Sequence, residues 1–169
     1  GQGDLTIKNG GILTSNGGTI GWGATAATTD TAPMTGTGSK WTSSGTIYVG
    51  NNATGVLNIQ NSGQVSTTQN VIIANNAANG TVNLTGSGSS LSVGQGLYVG
   101  YIGTGALNIG SGTRVTSVGA VLGNDAGSVG AATIDGGSWN TGAGDILIGA
   151  NGQGDLTIKN GGILTSNGG

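Results

Sequence analysis

The sequence predicts an all-β chain, a right-handed parallel β-helix of about six rungs, and three observations carry that prediction. A Leu-x-Ile motif followed by a Gly/Asn turn returns about every 25 residues. Each unit holds three short apolar segments in the same order, separated by Gly, Asn and Ser, which is strand-and-turn chemistry. No window carries an apolar helical stripe, so no helix is expected. One rung cannot bury its own apolar side chains; only stacking on neighbours gives it a core, so stability is collective.

Organisation at longer range comes from the two ends. Gly152 to Gly169, GQGDLTIKNGGILTSNGG, repeats Gly1 to Gly18 letter for letter at an offset of 151 residues. Residues 1–151 therefore read as one six-rung super-repeat and residues 152–169 as the start of the next, in an array expected to be longer. With strands about 4.8 Å apart, six rungs advance about 29 Å.

The first strand of each rung begins at DLTIKNGG (Asp4), a degenerate APMTGTG (Ala32), VLNIQNSG (Val56), TVNLTGSG (Thr81), ALNIGSGT (Ala106), ATIDGG (Ala132) and DLTIKNGG again (Asp155). The first core positions are then 5, 32, 57, 82, 107, 132 and 156, in steps of 27, 25, 25, 25, 25 and 24. The second strand is expected at Gly11–Ser15, Lys40–Ser43, Gln64–Thr67, Ser90–Val93, Arg114–Thr116 and Ser138–Thr141. The third is expected at Thr19–Trp22, Thr46–Val49, Val71–Ala74, Gly96–Val99, Ala120–Leu122 and Asp145–Ile148. Loops such as GNNATG (Gly50 to Gly55) return the chain to the next rung, and ATAATTDTA (Ala24 to Ala32) makes the one 27-residue step and is the expected protrusion.

Period-2 alternation assigns the faces. Leu5 and Ile7, Leu57 and Ile59, Val82 and Leu84, and Leu107 and Ile109 should stack inward on the first face. Leu13, Trp41, Val65, Leu91, Val115 and Trp139 should fill the second. Ile47 and Val49, Ile72 and Ala74, Leu97 and Val99, and Ile146 and Ile148 are expected to fill the third.

Composition removes several function classes. There are 39 Gly, one Pro and only 6% charged residues, with a net charge of −2. Glycine without a G-X-Y period or proline excludes collagen, and the regular Val/Ile/Leu scatter argues against a disordered chain. The four basic residues, Lys8, Lys40, Arg114 and Lys159, make no patch for nucleic acid or anionic membrane, and no transmembrane run appears. Without Cys or His there is no disulfide, no thiolate or imidazole metal site and no histidine-dependent triad.

The acids are Asp4, Asp30, Asp125, Asp135, Asp145 and Asp155, with no Glu. Asp4 and Asp155 are one repeat position, and Asp135 and Asp155 fall on different parts of the rung, so turn and loop roles are expected rather than a catalytic pair. Isolated Gly-Asp pairs at a 25-residue period do not make a calcium-binding β-roll, and no glycine cluster opens a phosphate-binding helix. No cofactor is expected. Thr14, Thr42, Ser66, Ser92, Thr116 and Asn140 should stack as one outward column, too mixed for an ice-binding array and read as a solvated face. Tyr48, Ile73, Tyr98 and Leu147 are expected as an outward semi-apolar column, a candidate lateral contact between fibres or with a partner.

The segment TGTGSKWTSSGTIYVGNNATGVLNIQNSGQVSTT (Thr35 to Thr68), with its second copy LTGSGSSLSVGQGLYVGYIGTGALNIGSGTRVTS (Leu84 to Ser117), resembles the strand-loop-strand repeats of bacterial autotransporter passenger domains. The resemblance covers nearly the whole chain. It implies a non-enzymatic stalk at the outer surface of a bacterium, although no barrel is present in these residues and the 151-residue copy is more faithful than such passengers usually carry. The expected function is a structural or adhesive extracellular rod, whose partners are further copies of the repeat and possible surface or glycan ligands. A fragment of a β-helix carbohydrate-active enzyme and a glycan- or receptor-binding module stand as alternatives.

Overall fold

The structure, a computed structural model that describes residues 2–23 and 28–168, is an all-β parallel solenoid of about six turns, without a helix among those residues. Its strands form three parallel sheets of seven, seven and six strands, and each strand pairs with its counterpart one rung away. The first face holds Ile7–Lys8, Thr29–Thr35, Thr54–Gln60, Asn79–Thr85, Thr104–Ile109, Val129–Asp135 and Gln153–Lys159. Ile12–Ser15, Lys40–Ser43, Gln64–Thr67, Ser90–Val93, Arg114–Thr116, Ser138–Asn140 and Ile163–Thr165 make the second. The third is Gly18–Ile20, Ile47–Val49, Val71–Ile73, Leu97–Val99, Ala120–Leu122 and Ile146–Ile148.

The first-face register follows the repeat arithmetic. Ala32 faces Leu57, Leu57 faces Val82, then come Leu107, Ala132 and Leu156. These residues and their partners two positions on (Met34, Ile59, Leu84, Ile109, Ile134) are buried through the middle of the rod. The second face contributes Trp41, Val65, Leu91, Val115 and Trp139, all buried. Each indole also finds a polar partner, as a buried Trp requires: Trp41 Nε1 donates to Ser15 Oγ at 2.9 Å and Trp139 Nε1 to Ser117 Oγ at 3.1 Å. Leu5 and Leu13 in the first rung, and Leu156 and Leu164 in the last, pack on this core but stay partly open.

Three expectations change. In the third rung the inward residues of the third face are Val71 and Ile73, paired with Ile47 and Val49, while Ile72 faces Tyr48. Ala74 is not a strand residue but a buried corner at φ 63°, in line with Gly50 and Gly100. The run Val71-Ile72-Ile73 has no polar residue to fix its phase; the corner fixes it instead. The loop from Ala74 to Gly80 is one residue longer than the one from Gly50 to Gly55, and the preceding step is one shorter.

The second change concerns Trp22, which stands outside the third strand, past the Gly21 corner, and is 67% exposed. The third concerns the expected protrusion: residues 24–27 lie outside the described residues, but Thr29–Ala32 are strand, paired with Thr54–Leu57. Thr-Asp-Thr-Ala alternates outward and inward as its neighbours do, so it continues the ladder.

Pro33 shapes the first seam. Leu5 N donates to Thr31 O at 3.0 Å, and the parallel ladder would return a bond from residue 33 to the Leu5 carbonyl. Proline has no N–H to give. The first-face pairing of rung one on rung two is reduced accordingly to Ile7–Met34, Lys8–Thr35 and an isolated bridge, Asp4–Thr31. Every other first-face seam pairs six or seven residues.

Candidate functional surface

The surface is a set of columns, because each outward position stacks on its equivalent one rung away. On the third face the semi-apolar column runs Thr19, Tyr48, Ile72, Tyr98, Val121, Leu147. Tyr48, Tyr98 and Leu147 stand where the alternation put them. Ile73 does not: it is fully buried, and Ile72 takes its place in the column.

Tyr98 packs edge-on against Tyr101, with ring centroids 5.3 Å apart. Beside it, Tyr98, Val118, Gly119, Val121 and Leu147 border a shallow depression of about 160 Å³. Val118 and Leu147 are half exposed and give this flank an apolar character.

The second face presents Thr14, Thr42, Ser66, Ser92, Thr116, Asn140 and Thr165 in register, which is the column expected from the sequence with one further rung. The first face carries a feature that alternation alone does not reveal. Asn83 Nδ2 donates to Asn58 Oδ1 at 2.9 Å and Asn108 Nδ2 to Asn83 Oδ1 at 2.8 Å, an amide ladder along the rod. The signal was the repeated apolar-Asn-apolar triplet in three successive rungs. A second amide group lies at the loop corner, where Asn75 and Asn76 donate to Asn51.

The carboxylates are held by hydrogen bonds within their own rung or to the adjacent one. Asp4 Oδ1 accepts from the Thr31 hydroxyl, while Asp30 accepts from the Gly3 and Gly21 amides at 2.8 and 3.1 Å. Asp125 accepts from Asn124 and Asp155 from Gln153. Among the described residues, no group of three or more acidic side chains is placed to hold a metal ion. Asp4 and Asp30 border a cavity of about 330 Å³ at the N-terminal end, floored by Leu5, Leu13, Ile20 and Trp41. That cavity is the solenoid core seen end-on.

Among the described residues, Asp135 adds an ion pair to a hydrogen bond across its seam. It accepts from Asn160 Nδ2 at 2.6 Å and faces Lys159 Nζ at 3.4 Å. The Asn160 hydrogen bond holds its pKa below the ordinary carboxylate value against the opposing desolvation, with the Lys159 charge and hydrogen bond adding in the same lowering direction. The stabilisation is therefore complete above the ordinary value and disappears as pH falls through the lowered one. Asn160→Ala is expected to move the Asp135 midpoint upward, as read from its carboxyl carbon in an NMR pH titration; an unmoved midpoint would assign the shift to Lys159.

Comparison of the chain with protein-family models, curated proteins and solved structures found no match.

Proposed function

We propose that this chain is a segment of a structural or adhesive extracellular rod, a cell-surface stalk or matrix fibre that lengthens by adding rungs. The observation that carries this reading is the pair of identical rungs at opposite ends of one continuous core. Residues 2–18 and 153–169 share one sequence, and the rungs between them stack in register on one buried core. A parallel solenoid whose rungs are interchangeable in register extends by repetition. The resemblance of the rungs to autotransporter passengers supports placement at a bacterial outer surface. A surface that binds glycans or receptors is the second reading, favoured by the Tyr98–Tyr101 pair beside its depression.

Electron microscopy and fibre diffraction of the native material test the rod. Long filaments with a reflection near 4.8 Å along the axis, built from chains of one or many 16.1 kDa units, are expected. Discrete short particles without a long axis would overturn the proposal and favour the binding surface.

A further inference from the structure

We propose that the depression beside Tyr98 is a binding site for one ring of a neutral glycan. This rests on the adhesive reading and names what the lateral surface takes.

The site arises in the middle rungs from a gap in one column. Residues 96, 119 and 145 immediately precede the third-face strands Leu97–Val99, Ala120–Leu122 and Ile146–Ile148, in register with one another. Earlier rungs fill this column with Thr46 and Asn70, whereas the next two leave it as glycine. At Gly119 the corner sets the gap, because its φ of 82° selects glycine. At Gly96 a neighbour sets it: a Cβ there would lie 2.9 Å from Tyr98 Cε2 and 3.2 Å from its Cζ and hydroxyl oxygen. The phenol of Tyr98 therefore folds back over Gly96 and lies along the surface. Tyr101 meets that ring edge-on and holds it.

What remains is a shallow bowl of about 160 Å³ over Gly119. Tyr98 stands on one side and Asp145 on the other, from strands two spacings or about 10 Å apart, and Val118 and Val121 border it along the chain. The aromatic ring and the valine methyls offer an apolar surface to the C–H face of a pyranose. A carboxylate at the rim accepts hydrogen bonds from sugar hydroxyls. The volume is well below the roughly 300–1,000 Å³ of a pocket for a drug-sized ligand, which suits a single ring.

Charge selects a neutral sugar. Among the described residues, Asp145 is the one charged side chain on the border. Lys8, Lys40, Arg114 and Lys159 all sit in strands of the first and second faces. A uronate ring would meet a carboxylate with no cation beside it. Size disfavours a second copy of the chain as occupant. Each third-face strand offers one outward residue, so the apolar strip is one side chain wide and about 19 Å tall. That falls far short of the roughly 800 Å² per partner of a stable interface.

NMR of the full-length chain with labelled tyrosine and valine tests the site, by titration with neutral tetrasaccharides of glucose, mannose and galactose and with tetragalacturonate. Tyr48 is the internal control, because it shares the column of Tyr98 but follows Thr46 rather than a glycine. Saturable shifts of Tyr98, Val118 and Val121 with at least one neutral tetrasaccharide are expected, with none from tetragalacturonate and none at Tyr48. Tyr98→Ala should weaken binding by about tenfold or more, and Tyr98→Phe should keep it. Gly96→Ala should weaken it by pushing the phenol aside, with the circular dichroism unchanged.

No shift at Tyr98 from any neutral tetrasaccharide, equal shifts at Tyr48, or a preference for tetragalacturonate would overturn the proposal. Broadening of Tyr98 with protein concentration alone, removed by Tyr98→Ala, would seat a second copy there instead. Sugar binding by a chain that forms no filaments keeps the site and removes the rod. Filaments from a chain whose Tyr98 ignores the sugars keep the rod and remove the site.

Discussion

Trp139→Ala is expected to destabilise the solenoid by about 3–5 kcal/mol, the cost of emptying a large aromatic site. The indole is 1% exposed and stacks between Val115 and Leu164 on the second face. Neighbours fixed by sheet pairing on both sides cannot close around the space. Truncation also leaves Ser117 Oγ without the indole donor. Urea unfolding followed by circular dichroism reads the loss as a lower midpoint at a nearly constant slope. Trp22→Ala is the internal control. At 67% exposed, Trp22 should move stability by no more than about 0.5 kcal/mol. Equal losses from the two substitutions would contradict the assigned faces.

Gly105→Val is the second large effect, with about 3 kcal/mol lost. Gly105 stands between Gly80 and Gly130 in a glycine column that opens the long first-face strands. A Cβ there would meet Gly100 N at 2.2 Å and Ile73 O at 3.1 Å, both backbone atoms that cannot swing away. The column exists because the chain, leaving the third face, passes directly over the start of the next first-face strand. Gly154 stands in the same column, where a Cβ would meet Gly149 N at 2.3 Å, and should behave like Gly105. Thermal unfolding of the single variants Gly105→Val and Gly154→Val reads the loss directly. A Gly105→Val chain that melts with wild type would mean that the corner is looser than its geometry.

These pairs locate what could be read from the letters. The 25-residue period, the order of three strands per rung and the inward ladders of the first two faces follow from the alternation of apolar residues and the placement of Gly and Asn. Six of the seven second-face strands were legible within a residue at each end, and the seventh follows as the copy of the first. The failures are places where the local pattern carries no phase. Val71-Ile72-Ile73 is apolar throughout, and only the one-residue longer loop beyond it, with Ala74 at positive φ, decides that Ile73 points in and Ile72 out. Thr29–Ala32 is polar enough to pass for a loop, and pairing with Thr54–Leu57 makes it a strand.

The candidate surface was legible to the same degree. Tyr48, Tyr98 and Leu147 follow from strict alternation within Ile-Tyr-Val, Leu-Tyr-Val and Ile-Leu-Ile, whereas Ile72, Val121 and the Tyr101 partner of Tyr98 come from loops and register that no single rung encodes. The sequence by itself determined the rung: its length, its three faces and the side chains it offers to a core. Only the tertiary structure decided what each rung receives. GQGDLTIKNGGILTS occurs twice, once with a two-residue first strand against Pro33 and once with a seven-residue strand against Val129–Asp135. The same isoleucine is 6% exposed as Ile7 and 46% exposed as Ile158. Hydrogen bonds and burial in a parallel solenoid come from the rung next door rather than from the segment's own residues, so identical letters take their stability from different neighbours.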